Sequence, residues 1–132
     1  MTEYSDSITA IESIIKANLT EYEQVNHGFG LDFEGVLQRV ATSDKAIFIN
    51  YESASVDEHF GDGSFADWED TISVYLKHTS NILTKTKAFF AAFNGKNLYK
   101  ETNVGPRQIR IVDWQPVQDD NFDIMQIRLE VL

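Results

Sequence analysis

The spacing of the apolar residues changes along this chain between the period of a helix and the period of a strand. Apolar residues recur every three or four positions over residues 7–19 and again over residues 82–93, which predicts two amphipathic helices. A shorter helical pattern covers residues 33–40, where Asp32 is placed to cap the first turn. The pair Asn94-Gly95 predicts the end of the helix over 82–93.

Four other segments have the composition of β-strands. Residues 46–51 are rich in β-branched and aromatic side chains, and residues 72–76 alternate between apolar and polar, so these two strands are predicted to pair antiparallel. Two further strands, over 109–114 and 122–131, flank the hairpin loop 115–121. The predicted order is α-α-β-β-α-β-β, an α+β fold in which a mixed or antiparallel four-stranded sheet packs against two main helices.

Three segments show neither period. The residues Asn26-His27-Gly28-Phe29-Gly30 are predicted to form a loop, and residues 97–106, which end in Gly105-Pro106, a polar connector. Residues 53–67 are polar, acidic and longer than the usual connection of about four to six residues, which predicts a long acidic loop. Because no linker or repeat divides the chain, residues 1–132 are predicted to form a single domain.

The charge of the chain is strongly negative and unevenly distributed. There are 21 acidic and 11 basic residues, a net charge of −10, and no cysteine. Repulsion from phosphate argues against nucleic-acid binding, and the lack of cysteine excludes disulfides and thiolate metal sites. Residues 1–70 hold 15 acidic and three basic residues, whereas residues 71–132 hold six acidic and eight basic ones. The longest apolar run, residues 88–93, is far shorter than the roughly 20 residues of a membrane span.

A search for catalytic and metal-binding patterns gives only a partial match. The histidines His27, His59 and His78 are not spaced to share a metal, and neither a GxSxG serine nor a phosphate-binding GxxxxGK[ST] loop is present. Residues 58–69 match the calcium-loop pattern at three positions, but Phe60 stands where an oxygen ligand is required. The sequence therefore predicts no enzyme, no catalytic residue, no cofactor and no metal.

Three aromatic residues lie among the acidic residues of the long loop and at its end. Exposed aromatic clusters often mark interfaces, although a solvated loop without a partner would have the same acidic composition. Under the interface hypothesis, this loop contacts basic residues of the second half of another subunit. The candidate interface residues are Phe60, Phe65, Trp68, Asp57, Glu58, Asp62, Lys85, Lys87, Arg107 and Arg110.

The order of these elements resembles the phage tail-terminator and head-tail joining proteins, including the Mu-like tail terminators and the lambda minor tail protein U group. The resemblance rests on the N-terminal helix, the strands 46–51 and 72–76, the helix 82–93 and the C-terminal hairpin. It implies a non-catalytic subunit that forms a closed, usually sixfold, ring on the end of the tail tube and joins it to the neck or head. The implied partners are other copies of the chain, the tube protein and neck proteins, first in the host cytoplasm and then in the virion tail.

Two other classes of protein fit the same sequence. A small acidic inhibitor or immunity-type protein would also be acidic and free of catalytic motifs, and it would bind a basic enzyme as a monomer. A ligand-binding or calcium-binding domain would use residues 58–69 to close on its ligand. The oligomeric state distinguishes the first class from a ring-forming protein, and calcium titration distinguishes the second.

Overall fold

The structure, a computed structural model, describes residues 7–22, 24–40, 44–56, 68–93, 97–99, 106–117 and 123–131. Within these residues the chain forms three helices and six strands. In chain order they are α1 (Ser7–Asn18), β1 (Gln24–Phe29), α2 (Phe33–Val40), β2 (Lys45–Val56), β3 (Trp68–His78), α3 (Ile82–Phe93), β4 (Asn97–Tyr99), β5 (Pro106–Pro116) and β6 (Ile124–Val131).

The strands form one mixed sheet in the order β1-β2-β3-β6-β5, which the three-residue strand β4 extends beside β5. Strands β1 and β2 are parallel, and the other neighbouring strands are antiparallel. The α+β class, the mixed sheet and the antiparallel pairing of β2 with β3 are confirmed. The predicted four strands and the predicted order are matched only in part, because the described part of the chain also forms β1 between the first two helices and β4 after the third.

Helices α1 and α3 pack on one face of the sheet, here called the helical face. Helix α1 contacts β1 and β2, while α3 contacts β3, β6 and β5, and the two helices contact each other. The rings of Phe89 and Phe93 stack with their centroids 4.6 Å apart and are fully buried. The core residues of this face include Ile8, Ile11, Ile15, Ile47, Ile49, Ile72, Val74, Leu76, Ile127, Leu129 and Val131.

Helix α2 covers part of the opposite face, here called the α2 face. The Oδ1 atom of Asp32 accepts a hydrogen bond of 2.7 Å from the backbone N–H of Gly35, so the predicted cap is confirmed. At the other end of the helix, Lys77 Nζ donates to the backbone oxygen of Val40 at 3.1 Å. These two polar contacts fix a helix of only eight residues over its own small core. That core contains Val36, Val40, Ala46, Phe48, Tyr75, Val117 and Ile124.

Strand β1 corrects the predicted loop over residues 26–30. Its low β-propensity is offset by tertiary contacts, because β1 pairs with β2 over its whole length. The buried side chain of Asn50 then holds the turn that follows: its Oδ1 accepts from the backbone N–H of Leu31, and its Nδ2 donates to the backbone oxygen of Leu31, both at 3.1 Å. Two backbone groups that would otherwise lie unpaired at the end of an edge strand are thereby satisfied.

Gly28 is required in β1 because the ring of Phe48 lies against its Cα. A Cβ atom at this position would lie 2.9 Å from Phe48 Cζ and 3.2 Å from Leu31 Cδ1. We expect Gly28→Ala to lower the free energy of unfolding by about 1–3 kcal/mol, the usual cost of overpacking. Urea denaturation measures this change, and the double variant Gly28→Ala/Phe48→Leu should recover part of it. An unchanged midpoint in Gly28→Ala would show that the backbone of β1 does not depend on this close approach.

The boundaries of the predicted loops also change. Strand β2 continues to Val56, so residues 53–56 of the predicted acidic loop 53–67 are strand, and residues 57–67 lie outside the described residues. Strand β4 lies within the predicted connector 97–106, and β5 includes Gln115 and Pro116 from the predicted hairpin loop. In the part of the chain that the structure describes, no helix is long and apolar enough to cross a membrane.

Candidate functional site

The structure describes only some of the predicted interface residues. Trp68 is the first residue of β3 and lies opposite Val56 of β2 in the strand register. The predicted contact of the acidic loop with a partner therefore stays a prediction. Five of its residues lie outside the described residues: Phe60, Phe65, Asp57, Glu58 and Asp62.

The four predicted basic residues lie on α3 and β5. Lys87 is exposed on α3, and Arg107 lies in β5 opposite Leu98 of β4. Lys85 and Arg110 each contact an acid of their own chain: Lys85 Nζ lies 3.0 Å from Glu21 Oε1, and Arg110 forms an ion pair with Glu130. The structure thus places the two lysines on α3 and the two arginines on β5, and it pairs Lys85 and Arg110 within the chain.

Glu21 is the centre of a polar cluster that joins three segments of the chain. Besides Lys85, its carboxylate lies 3.9 Å from Lys45 Nζ and 3.8 Å from His78 Nε2. His78 is buried, and its Nδ1 accepts a hydrogen bond of 3.3 Å from the backbone N–H of Ser80. In neutral His78 the ring proton is therefore on Nε2, which faces Glu21.

Tyr22 closes the buried side of this cluster. Its ring contacts His78 edge-on with the centroids 6.0 Å apart, and its hydroxyl has no hydrogen-bond partner among the described residues. Burial raises the pKa of Tyr22, and the negative charge of Glu21 raises it further. A neutral phenol and an ion-paired carboxylate do not make a proton-transfer pair at neutral pH. The cluster therefore acts as a clamp that joins the segment after α1 to β2, β3 and α3.

The clamp predicts a dependence of stability on pH. The hydrogen bond from Lys85 holds the pKa of Glu21 below its ordinary value of 4.5, against the opposing effect of burial. A carboxyl with a lowered pKa stabilises the fold above its unfolded pKa, and this contribution is lost as the pH falls through the folded value. We expect Glu21→Gln to flatten the decline in unfolding free energy below about pH 5, measured by urea denaturation at several pH values. An equally steep decline in the variant would contradict the clamp.

A cleft of about 420 Å³ opens between β1 and α2. It is lined by Asn26, His27, Gly28, Leu31, Arg39 and Phe48. Among its lining residues Arg39 is exposed, and His27 Nδ1 lies 3.7 Å from Glu12 Oε2 on the helical side of β1. Within the described residues, no group of three or more His, Asp or Glu could hold a metal ion. The cleft offers one cation and an aromatic wall, but no pair of groups arranged for catalysis.

The first exposed aromatic surface lies at the β1 edge of the sheet. Phe29 is 69% exposed, and its ring contacts Tyr51 and His27 with centroid distances of 5.9 and 6.2 Å. Tyr51 packs against the core of the helical face, so Phe29 lies on that face too. We call Phe29, Tyr51 and His27 the β1 patch.

The second exposed aromatic surface lies at the opposite end of the sheet. Phe90 of α3 and Trp114 of β5 are 40% and 36% exposed, and their rings meet edge-on with the centroids 5.7 Å apart. Leu83, which is 53% exposed, precedes Phe90 by two helical turns on the same side of α3. We call Leu83, Phe90 and Trp114 the α3–β5 patch. Phe90 therefore lies outside the core to which Phe89 and Phe93 belong.

The rest of the α2 face, beyond α2, is a hydrogen-bonded polar surface. Arg128 binds Asp113 through two hydrogen bonds of 2.8 and 2.5 Å, and these hold the pKa of the Asp113 carboxyl below its ordinary value. Ser73 donates to Glu52 at 2.6 Å and accepts from Gln126 at 3.3 Å. These polar side chains bond within the chain. Phe33 of α2, which is 44% exposed, is an exposed aromatic residue of this face, while Phe29, Phe90 and Trp114 are exposed on the helical face.

Comparison of the sequence with models of protein families and with curated proteins finds no match.

Proposed function

We propose that this chain is a non-catalytic structural subunit of a phage or phage-like tail, which assembles head to tail into a ring that ends the tail tube and joins it to the neck or head. The pair of aromatic patches at opposite ends of one sheet carries the self-assembly in this proposal. The role in a tail comes from the resemblance in the order of the elements. The two patches differ in composition. The β1 patch contains Phe29, Tyr51 and His27, and the α3–β5 patch contains Leu83, Phe90 and Trp114.

Two different patches favour a ring over a symmetric dimer. In a two-fold dimer the same surface meets itself, whereas contact between two different surfaces leaves one of each free and repeats until a ring closes. The β1 patch and the α3–β5 patch lie on the same face of the sheet and at its two ends. Neighbouring subunits can therefore lie side by side, with the β1 patch of one against the α3–β5 patch of the next. The resemblance to tail terminators implies that the ring contains six subunits.

The uneven charge of the sequence favours contact between copies of the chain. Residues 1–70 hold 15 acidic and three basic residues, whereas residues 71–132 hold six acidic and eight basic ones. Opposite net charge of the two halves favours contact of the first half of one copy with the second half of another. The same asymmetry underlies the predicted pairing of an acidic first half with a basic second half.

The oligomeric state tests the proposal. Light scattering after size exclusion, over a concentration series at low and moderate salt, should give a discrete hexamer, with dissociation favoured by salt. Negative-stain electron microscopy of the same fraction should show rings with an open centre. A strict monomer at every concentration would contradict self-assembly and would favour the acidic inhibitor, which binds a basic enzyme one to one.

A further inference from the structure

We propose that His78 is a pH-sensitive switch of the turn between β3 and α3, residues 79–81: the neutral imidazole holds this turn in place, and protonation releases it. The controlling contact is a hydrogen bond of 3.3 Å, in which the backbone N–H of Ser80 donates to His78 Nδ1. A protonated imidazole carries a proton on both nitrogens, so Nδ1 can no longer accept. The switch lies within one chain and does not depend on assembly.

The imidazole of His78 is held in one orientation by its surroundings. His78 ends β3 and continues the alternation of Ile72, Val74 and Leu76, which face the helices, and it is only 5% exposed. Because close packing limits rotation of the ring, a protonated Nδ1 would point its N–H at the N–H of Ser80. Two donors in this position repel each other, and the exposed backbone of the turn is the part that can move.

The turn that His78 holds contains a strained residue. Asn81 has a φ of 56°, in the left-handed region, which a residue other than glycine adopts at a cost. Its backbone oxygen accepts from the N–H of Lys85 at 3.0 Å, a hydrogen bond of the first turn of α3. Loss of the bond between Ser80 and His78 lets Asn81 relax, which moves this acceptor away from the helix. The first turn of α3 also carries Leu83, so the release reaches the α3–β5 patch.

The charges around His78 do not restore the lost hydrogen bond. Nε2 lies 3.8 Å from Glu21 Oε2, but the same carboxylate lies 3.9 Å from Lys45 Nζ and 3.0 Å from Lys85 Nζ. A protonated His78 is therefore the third cation at one carboxylate, and its gain at Nε2 is shared, whereas the loss at Nδ1 is complete. The other titratable residues that contact His78 or the turn do so through a ring edge or a backbone oxygen, and they are Tyr22, Asp44 and Asp123.

An NMR titration of the natural chain tests the switch. Long-range ¹H–¹⁵N spectra follow the ring nitrogens of His78 from roughly pH 8 to pH 5, the range in which an ordinary histidine changes its charge. The hydrogen-exchange protection factor of the Ser80 amide is measured over the same range. The variant His78→Asn places an uncharged oxygen near the position of Nδ1, and an asparagine accepts from the N–H two residues on without titrating. His27→Asn, at an exposed histidine, is the matched control.

We expect neutral His78 to carry its proton on Nε2, and the protection of the Ser80 amide to fall about fivefold as His78 is protonated, the effect of losing one hydrogen bond. Protection should stay constant in His78→Asn and fall in His27→Asn as in the natural chain. A proton on Nδ1 of neutral His78, an imidazole that stays neutral throughout, or Ser80 protection that does not follow His78 would overturn the switch. An equal loss of protection at Leu76 would also overturn it, since it would show general unfolding. The readings from the natural chain hold even if His78→Asn does not fold.

Discussion

Replacing Phe29 by aspartate is expected to convert the proposed ring into monomers while leaving the fold intact. Phe29 is 69% exposed within one subunit, so its removal exposes no buried core. A charge at the centre of the apolar contact would weaken each interface by at least about 2 kcal/mol, roughly 30-fold in the dissociation constant. Every interface of a closed ring contains one copy of the substitution. Light scattering should therefore give the monomer mass over the concentrations at which the natural chain is a ring.

The matched control for this variant is Phe33→Asp. Phe33 is also an exposed phenylalanine, but its ring contacts Tyr75 of the α2-face core, 6.3 Å between centroids. An acidic residue at the first position of α2 is favourable next to the helix N-terminus. We expect Phe33→Asp to assemble like the natural chain. If both variants were monomeric, the added negative charge would prevent assembly wherever it is placed, and the assignment of the contact to the β1 patch would fail.

The second large effect is expected from Phe89→Ala. Phe89 is fully buried on α3 and stacks on Phe93 in the core between the helices and the sheet. Truncation of a buried phenylalanine costs about 3–5 kcal/mol, from lost burial and the cavity that remains. For a domain with total stability of about 5–15 kcal/mol, this is a large fraction. Chemical denaturation followed by far-UV circular dichroism measures it.

Phe90→Ala is the control at the next position of the same helix. Its ring is 40% exposed and contacts Trp114 rather than the core. We expect a loss of stability below about 1.5 kcal/mol, the range of an aromatic pair, together with weakened assembly. Equal losses of stability in the two alanine variants would contradict the burial pattern of α3.

The sequence was sufficient to predict the elements in which the pattern of apolar residues shows which side is buried. Ile72, Val74 and Leu76 alternate because one side of β3 contacts the helices, and this period is visible without tertiary information. Strand β1 was not predictable in this way. Its residues Asn26, His27 and Gly28 have low β-propensity, and they are held in the sheet by β2, by the space that Gly28 leaves for Phe48 and by the turn that Asn50 fixes. Such contacts join residues about 20 positions apart.

The sequence did not predict the residues that form the two patches. It predicted an interface of aromatic and acidic residues over 57–68, of which the structure describes only Trp68, together with basic residues of α3 and β5. Among the described residues, the exposed aromatics lie at Phe29, Phe33, Phe90 and Trp114. A signal for Phe90 was present: buried Thr86, Phe89 and Phe93 of α3 follow spacings of three and four, and Phe90 falls outside this stripe. No comparable signal marked Phe29, because its exposure depends on β1 being an edge strand.

A mixing experiment tests the central claim, head-to-tail contact between two different surfaces, most directly. Phe29→Asp retains an intact α3–β5 patch, and Phe90→Asp retains an intact β1 patch. If the two patches contact each other, each variant alone is a monomer, and an equimolar mixture forms a one-to-one dimer through its single intact junction. Light scattering of the mixture should give twice the subunit mass of 15.0 kDa. A mixture that stays monomeric, or a Phe90→Asp variant that assembles alone as the natural chain does, would contradict the account.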